Sequence, residues 1–137
     1  PGEPMTIRIH YRLEVALPQA SVSVTTYRLD GVVVLNAISS LDATDLTLSA
    51  GSGAVDLVFD RLLLGPGEYM VAVGIYPALD LGDPISPQHA VIWHRPVTFT
   101  VQQPVGVALD LGVVMHPARW RIARPQEVRD ASSANAP

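Results

Sequence analysis

His10, His89, His94 and His116 are the chain's four histidines, and imidazole is the side chain best suited to metal binding and proton transfer near neutral pH. No two of them stand four apart, as a helical metal pair requires, and none is followed by the Glu of a zinc-protease motif. His89 and His94 are near enough in sequence to meet around a strand end, but solvated side chains are the simpler reading and no metal is expected. Asp42, Asp45, Asp80 and Asp83 occupy loop-like sequence without the alternating oxygen ligands of a calcium loop. Gly51-Ser52-Gly53 lacks the following Lys-Ser/Thr that phosphate cradling needs. Gly65-Pro66-Gly67 leads into a strand, so it offers an anion no helix dipole. Paired carboxylates for glycoside hydrolysis would meet in space rather than in sequence, and no pair stands out. Cysteine is absent, which removes thiolate nucleophiles, thiolate metal sites and disulfides together. The chain is read as non-catalytic and free of cofactors.

Aromatic residues that fall off the apolar pattern say more. Tyr69, Val71, Val73 and Ile75 alternate with Met70, Ala72, Gly74 and Tyr76, so Tyr76 is expected on the side opposite Tyr69. It shares that side with two very small residues, which leave room for a flat ligand. Trp93 is followed by His94 and Arg95, just before Pro96. A sugar ring packs its C–H face on an aromatic plane and needs donors and acceptors for its hydroxyls. Tyr76, Trp93, His94 and Arg95 are therefore the candidate carbohydrate-binding residues, with Arg28 as a further donor. In the competing reading, Trp93 anchors the core, while Ala72 and Gly74 receive a neighbouring element or a second subunit.

The elements that must position these side chains are strands. Met5 to Leu13 alternates cleanly, with Ile7, Ile9, Tyr11 and Leu13 on one side and Thr6, Arg8, His10 and Arg12 on the other. Period two means one buried face and one wet one. Ser21 to Arg28 and Val32 to Asn36 read as a hairpin around Asp30-Gly31. Leu41 to Ser49 reads as a loop ending in a short strand at Leu46 and Leu48. Ala54 to Asp60, Tyr69 to Tyr76 and Ala90 to Val101 are further strands; Pro96 excludes the last from a central ladder. Val107 to Met115 is expected to close the sandwich, with a bulge at Gly112. Pro77 to Gln88 reads as a long surface loop. Leu64-Gly65-Pro66-Gly67-Glu68-Tyr69 has the form of a tyrosine corner, whose phenol ties back to the upstream backbone. No sustained 3.6-residue repeat appears, so the fold class is all-β, an antiparallel sandwich of about 8 strands.

At 137 residues with 48% hydrophobic and 16% charged side chains, the chain suits one globular domain. We assign residues 1–123 to the sandwich and 124–137 to a disordered C-terminal tail, because the tail carries no apolar face to bury. A net charge of −4 argues against nucleic acid as a partner. No segment reaches the roughly 18 apolar residues of a membrane span, so no direct membrane insertion is expected. All nine basic residues are arginine, a side chain suited to planar hydrogen bonding.

The order of these pieces resembles the C-terminal domain of Wzt-type ATPases, subunits of polysaccharide-export ABC transporters. Gly2-Glu3-Pro4-Met5-Thr6-Ile7-Arg8-Ile9, Tyr27-Arg28-Leu29-Asp30-Gly31 and Leu64-Gly65-Pro66-Gly67-Glu68-Tyr69 each look like segments of that domain. Val97-Thr98-Phe99-Thr100-Val101 and the stretch from Gly112 to Trp120 fit as well, so the likeness covers residues 2 to 122. It implies an immunoglobulin-like sandwich that binds O-antigen polysaccharide and selects it for export, in the cytoplasm at the inner face of the inner membrane. It also implies a homodimer, joined to the transporter's membrane subunit through an upstream ATPase domain outside this chain. Similar domains occur on glycan-modifying enzymes. The rival expectation is a structural dimerisation domain that binds no glycan.

Overall fold

A strand with one apolar face must find a second apolar face to cover it. The structure, a computed structural model, describes residues 1–42, 46–83 and 92–123, with backbone alone for residues 92–96. Among these, seven strands form: β1 (Met5–Leu13), β2 (Leu17–Arg28), β3 (Val33–Ile38), β4 (Leu46–Leu48), β5 (Gly51–Phe59), β6 (Gly67–Tyr76) and β7 (Ile92–Val101). β1 and β5 make a two-stranded antiparallel sheet. The larger sheet runs β3-β2-β6-β7, and β4 pairs with the start of β2. The result is an all-β antiparallel sandwich.

Its core follows the alternation. Ile9 and Leu13 from β1 meet Val22 and Val24 from β2 and Val71, Val73 and Ile75 from β6. Ile7, Tyr11, Val55 and Leu57 pack against this cluster. Ile75 is fully buried, a contribution of about 2–3 kcal/mol for a side chain of its size. β3 ends where Ser39 begins a single 3-10 turn, Ser39–Asp42. The Ser39 hydroxyl accepts from the Val22 amide at 2.9 Å, so a side chain takes over the ladder where the strand stops.

The tyrosine corner forms as the sequence predicts. Tyr69 is 2% exposed, and its hydroxyl donates to the Gly65 carbonyl at 2.6 Å. Its ring stacks on Phe99 at 5.4 Å between centroids. A second small cluster, Leu64, Tyr69 and Val101, closes this end of the molecule.

The expected closing strand at Val107 to Met115 does not form. The Gly112 amide donates to Asp110 Oδ1 at 2.8 Å, and Gly112 adopts a φ of 78°. An Asx-type turn with a left-handed residue cannot continue an extended ladder. What remains is one bridge, Leu64 to Val114, supported by bonds from the Gly65 amide to the Val113 carbonyl and from the Met115 amide to the Leu63 carbonyl.

Pro96 lies where the sequence requires, in the edge strand β7. Val97 pairs with Val71 and His94 with Val73, so Arg95 and Pro96 together stand against Ala72. Two residues against one make a β-bulge, which absorbs the missing proline N–H.

Candidate functional site

Tyr76 ends β6, next to the β6–β7 connection. It is half-buried, and its ring lies across Gly74. A β-carbon on Gly74 would come within 2.9 Å of Tyr76 Cε2 and 3.0 Å of its hydroxyl. Part of the room beside the small residues is therefore occupied by the tyrosine itself. Ala72 is only 3% exposed and Gly74 is buried too, so they do not form the open floor that their size suggests. Ser21, the register partner of Tyr76, is buried and shares a hydrogen bond with Ser40 at 3.0 Å.

β7 neighbours β6, as expected. Trp93 is the register partner of Gly74, and His94 of Val73. Trp93 thus stands one strand away from the residue that carries the Tyr76 ring, and Arg95 falls in the bulge against Ala72. Four of the five candidate residues gather at one end of the β6–β7 pair. The loop residues between them, 84–91, lie outside the described residues.

Arg28 is the exception. It pairs with Tyr69, seven positions from Tyr76 along β6, or about 23 Å at strand spacing. Arg28 belongs to the opposite end of the sheet, where its guanidinium grips Asp30 through both carboxylate oxygens. That contact, with the Val32 amide as a second donor, holds the Asp30 carboxyl below its ordinary range, and Asp30 in turn raises Arg28. On the outer face of the smaller sheet, Arg8 and Asp56 are cross-strand partners, bonded at 2.8 and 2.9 Å. That pair lowers the Asp56 carboxyl.

A sequence profile of the Wzt C-terminal domain matches residues 1–113. The chain belongs to the Wzt C-terminal domain family. That places it in polysaccharide ABC transport, as a non-catalytic domain of the transporter. The crystal structure of the C-terminal domain of Wzt superposes on it with a TM-score of 0.64 at 15% sequence identity, over 88% of this chain and 69% of that one. At such identity the likeness establishes the sandwich fold. No curated protein matches the chain. None of the described residues forms a group of three or more His, Asp or Glu able to hold a metal ion. No helix among them is long and apolar enough to cross a membrane.

The sequence reading passed over Tyr27. It sits in a Val- and Thr-rich strand, yet it is out of step with the inward Val22, Val24 and Thr26. Tyr27 is half-buried and pairs with Met70, one position from the corner residue Tyr69 and therefore of the opposite parity. Period-two counting from Val22 was the signal for it.

Proposed function

We propose that this domain binds an O-antigen-type polysaccharide and selects it for export by an ABC transporter. Its seat is then the cytoplasm, at the inner face of the inner membrane, with an upstream ATPase domain linking it to the membrane subunit. The observation that carries the reading is the half-buried Tyr76 ring laid across Gly74, with Trp93 in register beside it. Family membership supplies the class of ligand. An aromatic held in place by its own strand presents a ring face at low conformational cost, as sugar stacking requires. In this reading Tyr76 and Trp93 stack on the glycan and Arg95 hydrogen-bonds to it, while His94, whose register partner is the core residue Val73, stands at the margin of the group. Arg28 stands outside this group.

Titration of the chain with the surface polysaccharide of its source organism tests the proposal. Saturable binding that falls several-fold in Tyr76→Ala and Trp93→Ala, with folding retained, is the expected result. Absence of binding to that polysaccharide would sink it.

A second reading, pairing of two copies, is favoured by a different observation. Residues 116–123 are exposed throughout, and Trp120 and Ile122 are each 97% exposed. Arg119, Trp120, Arg121 and Ile122 alternate as a strand does, while among the described residues β1 and β5 each keep one unpaired edge. Exposed edges and large apolar side chains favour association with another chain. Homodimerisation is compatible with glycan binding, and it becomes the sole function only if the glycan titration fails.

A further inference from the structure

A strand at the border of a sheet leaves a row of N–H and C=O groups unpaired, and proteins ordinarily guard such edges with charges, proline or bulges. The described residues give the sandwich four borders: β1 and β5 in the smaller sheet, β3 and β7 in the larger. β1 is guarded by Arg8, His10 and Arg12, β5 by Asp56, and β7 by Pro96 and its bulge. β3 lacks such charges. Residues 31–41 hold no charged side chain and no proline. A bulge sets Val34 aside, since Thr26 pairs with Leu35 and Tyr27 with Val33, but residues 35–38 stay in regular register with β2. Large apolar side chains are exposed at both ends of the strand, Leu29, Val32 and Val33 at its start and Leu41 beyond its end.

The strand that fits this edge is the same edge of a second copy. Self-pairing across a two-fold axis sets each strand residue against itself or a near neighbour. On β1 that would oppose arginine and histidine to their own kind, and on β7 it would meet Pro96. On β3 a two-fold axis through Asn36 sets Leu35 against the second copy's Ala37, and Asn36 against Asn36. Leu35 and Ala37 share the inner face, as register partners of Thr26 and Val24. The two cores therefore come to lie on one side of the joined sheet, as a workable register must ensure. Asn36 is exposed, and its Oδ1 accepts from Thr25 at 3.0 Å. That bond fixes the amide and leaves its NH2 group, without a partner among the described residues, to donate across the axis. The start of one β3, with Leu29, Val32 and Val33, then approaches the end of the other, with Leu41. Asp30 at one end is already held by Arg28, and the chain turns out of the strand at Ser39 before it reaches Asp42.

We infer that β3 pairs with β3 of a second copy across a two-fold axis at Asn36, joining the two larger sheets in the order β7-β6-β2-β3-β3-β2-β6-β7. The inference rests on the proposed pairing of two copies and fixes where they meet. Contact there leaves β6 and β7 clear, so each copy keeps its Tyr76 group near the outer border of the joined sheet.

The chain has no cysteine, so one introduced thiol reports on its own position. Asn36→Cys in the full chain should be joined into a covalent dimer by a short bis-maleimide. Thr98→Cys, exposed on β7, should stay monomeric under the same conditions. Asn36→Lys sets two ammonium groups at directly opposed positions, with β-carbons about 5 Å apart. It should raise the dimer dissociation constant roughly ten-fold or more in sedimentation equilibrium, while the uncharged Asn36→Gln stays close to wild type. If Asn36→Lys does not fold, the cross-link decides by itself. A wild-type dimer whose Asn36→Cys variant does not cross-link, or whose folded Asn36→Lys variant associates as tightly, meets its partner elsewhere: the β3 contact is then wrong and the pairing of two copies stands. Equal cross-linking at the two positions is collision, and it too overturns the β3 contact. A wild type that stays monomeric at high micromolar concentration overturns both.

Discussion

The backbone of Gly65 lies directly against the backbone of Gly112, whose carbonyl oxygen occupies the place a β-carbon on Gly65 would take. The contact holds the 112–115 segment against the β5–β6 connection, where two backbone hydrogen bonds form the Leu64–Val114 bridge. Gly65 also supplies the carbonyl that accepts from Tyr69. One glycine therefore serves two attachments at the same end of the sandwich.

Gly65→Ala is expected to destabilise the domain by about 2–3 kcal/mol, because a backbone oxygen cannot move aside as a flexible side chain can. Gly106→Ala is the matched control. It meets nothing within 4 Å but has a φ of 81°, so only backbone strain of about 1 kcal/mol is expected. Urea unfolding of the two variants checks the order; equal costs would show that the Gly65 contact relaxes freely.

Tyr69→Phe removes a buried hydrogen bond and leaves the Gly65 carbonyl unpaired, a loss of about 1–3 kcal/mol. It also changes the response to alkali. Burial raises the Tyr69 phenol above its ordinary value of 10.0, with Arg28 partly opposing the rise. A group raised on folding contributes stability that is complete below its unfolded pKa and is lost as pH climbs through the folded one. Wild type should weaken above about pH 10, and Tyr69→Phe should lose that part of the dependence. Melting curves across pH 8 to pH 11 measure it (the window brackets the phenol value). A parallel decline in both proteins would assign the alkaline limb to other groups.

Much of this architecture was legible because period two is a strong signal when one face is buried. β1 and the inward residues of β6 match the reading residue by residue, and the Pro-Gly turn before Tyr69 announced the corner. Two features resisted. The Val107 to Met115 segment has strand composition, but a local Asx turn at Asp110 and Gly112 outweighs propensity. The surface around Gly74 was read as open because small residues leave space, and sequence does not say which neighbour fills it. Tyr76 does so by folding its ring back across its own strand. Arg28 was grouped with the others by residue type, although strand pairing separates it from Tyr76 by the length of β6.

The arm from His116 to Ala123 gives a prediction about assembly. Trp120→Ser with Ile122→Ser removes two exposed apolar side chains without touching either core cluster. Light scattering should show wild type associating to a dimer at micromolar concentration and the double variant shifted toward monomer. Its melting temperature at high dilution should be unchanged, within the small effects typical of surface substitutions. A monomeric wild type would remove the arm from the assembly question.

Gly74→Ala isolates the position of the Tyr76 ring from its presence. The added β-carbon would crowd Tyr76 Cε2 at 2.9 Å and the hydroxyl at 3.0 Å, so the ring must swing away from its strand. The far end of a side chain can move cheaply, and alanine suits a strand interior better than glycine does. Stability should therefore change by less than about 1 kcal/mol. Glycan affinity, in contrast, should fall nearly as far as in Tyr76→Ala, since a stacking ring acts only where it is held. Tyr76→Phe keeps the plane and should retain most of the binding. Calorimetric titration of these three variants separates the possibilities. If Gly74→Ala binds like wild type while Tyr76→Ala does not, the ring finds the sugar without being preset. If Gly74→Ala unfolds instead, the glycine is there for the packing of the sheet, and the Tyr76 ring is part of that packing.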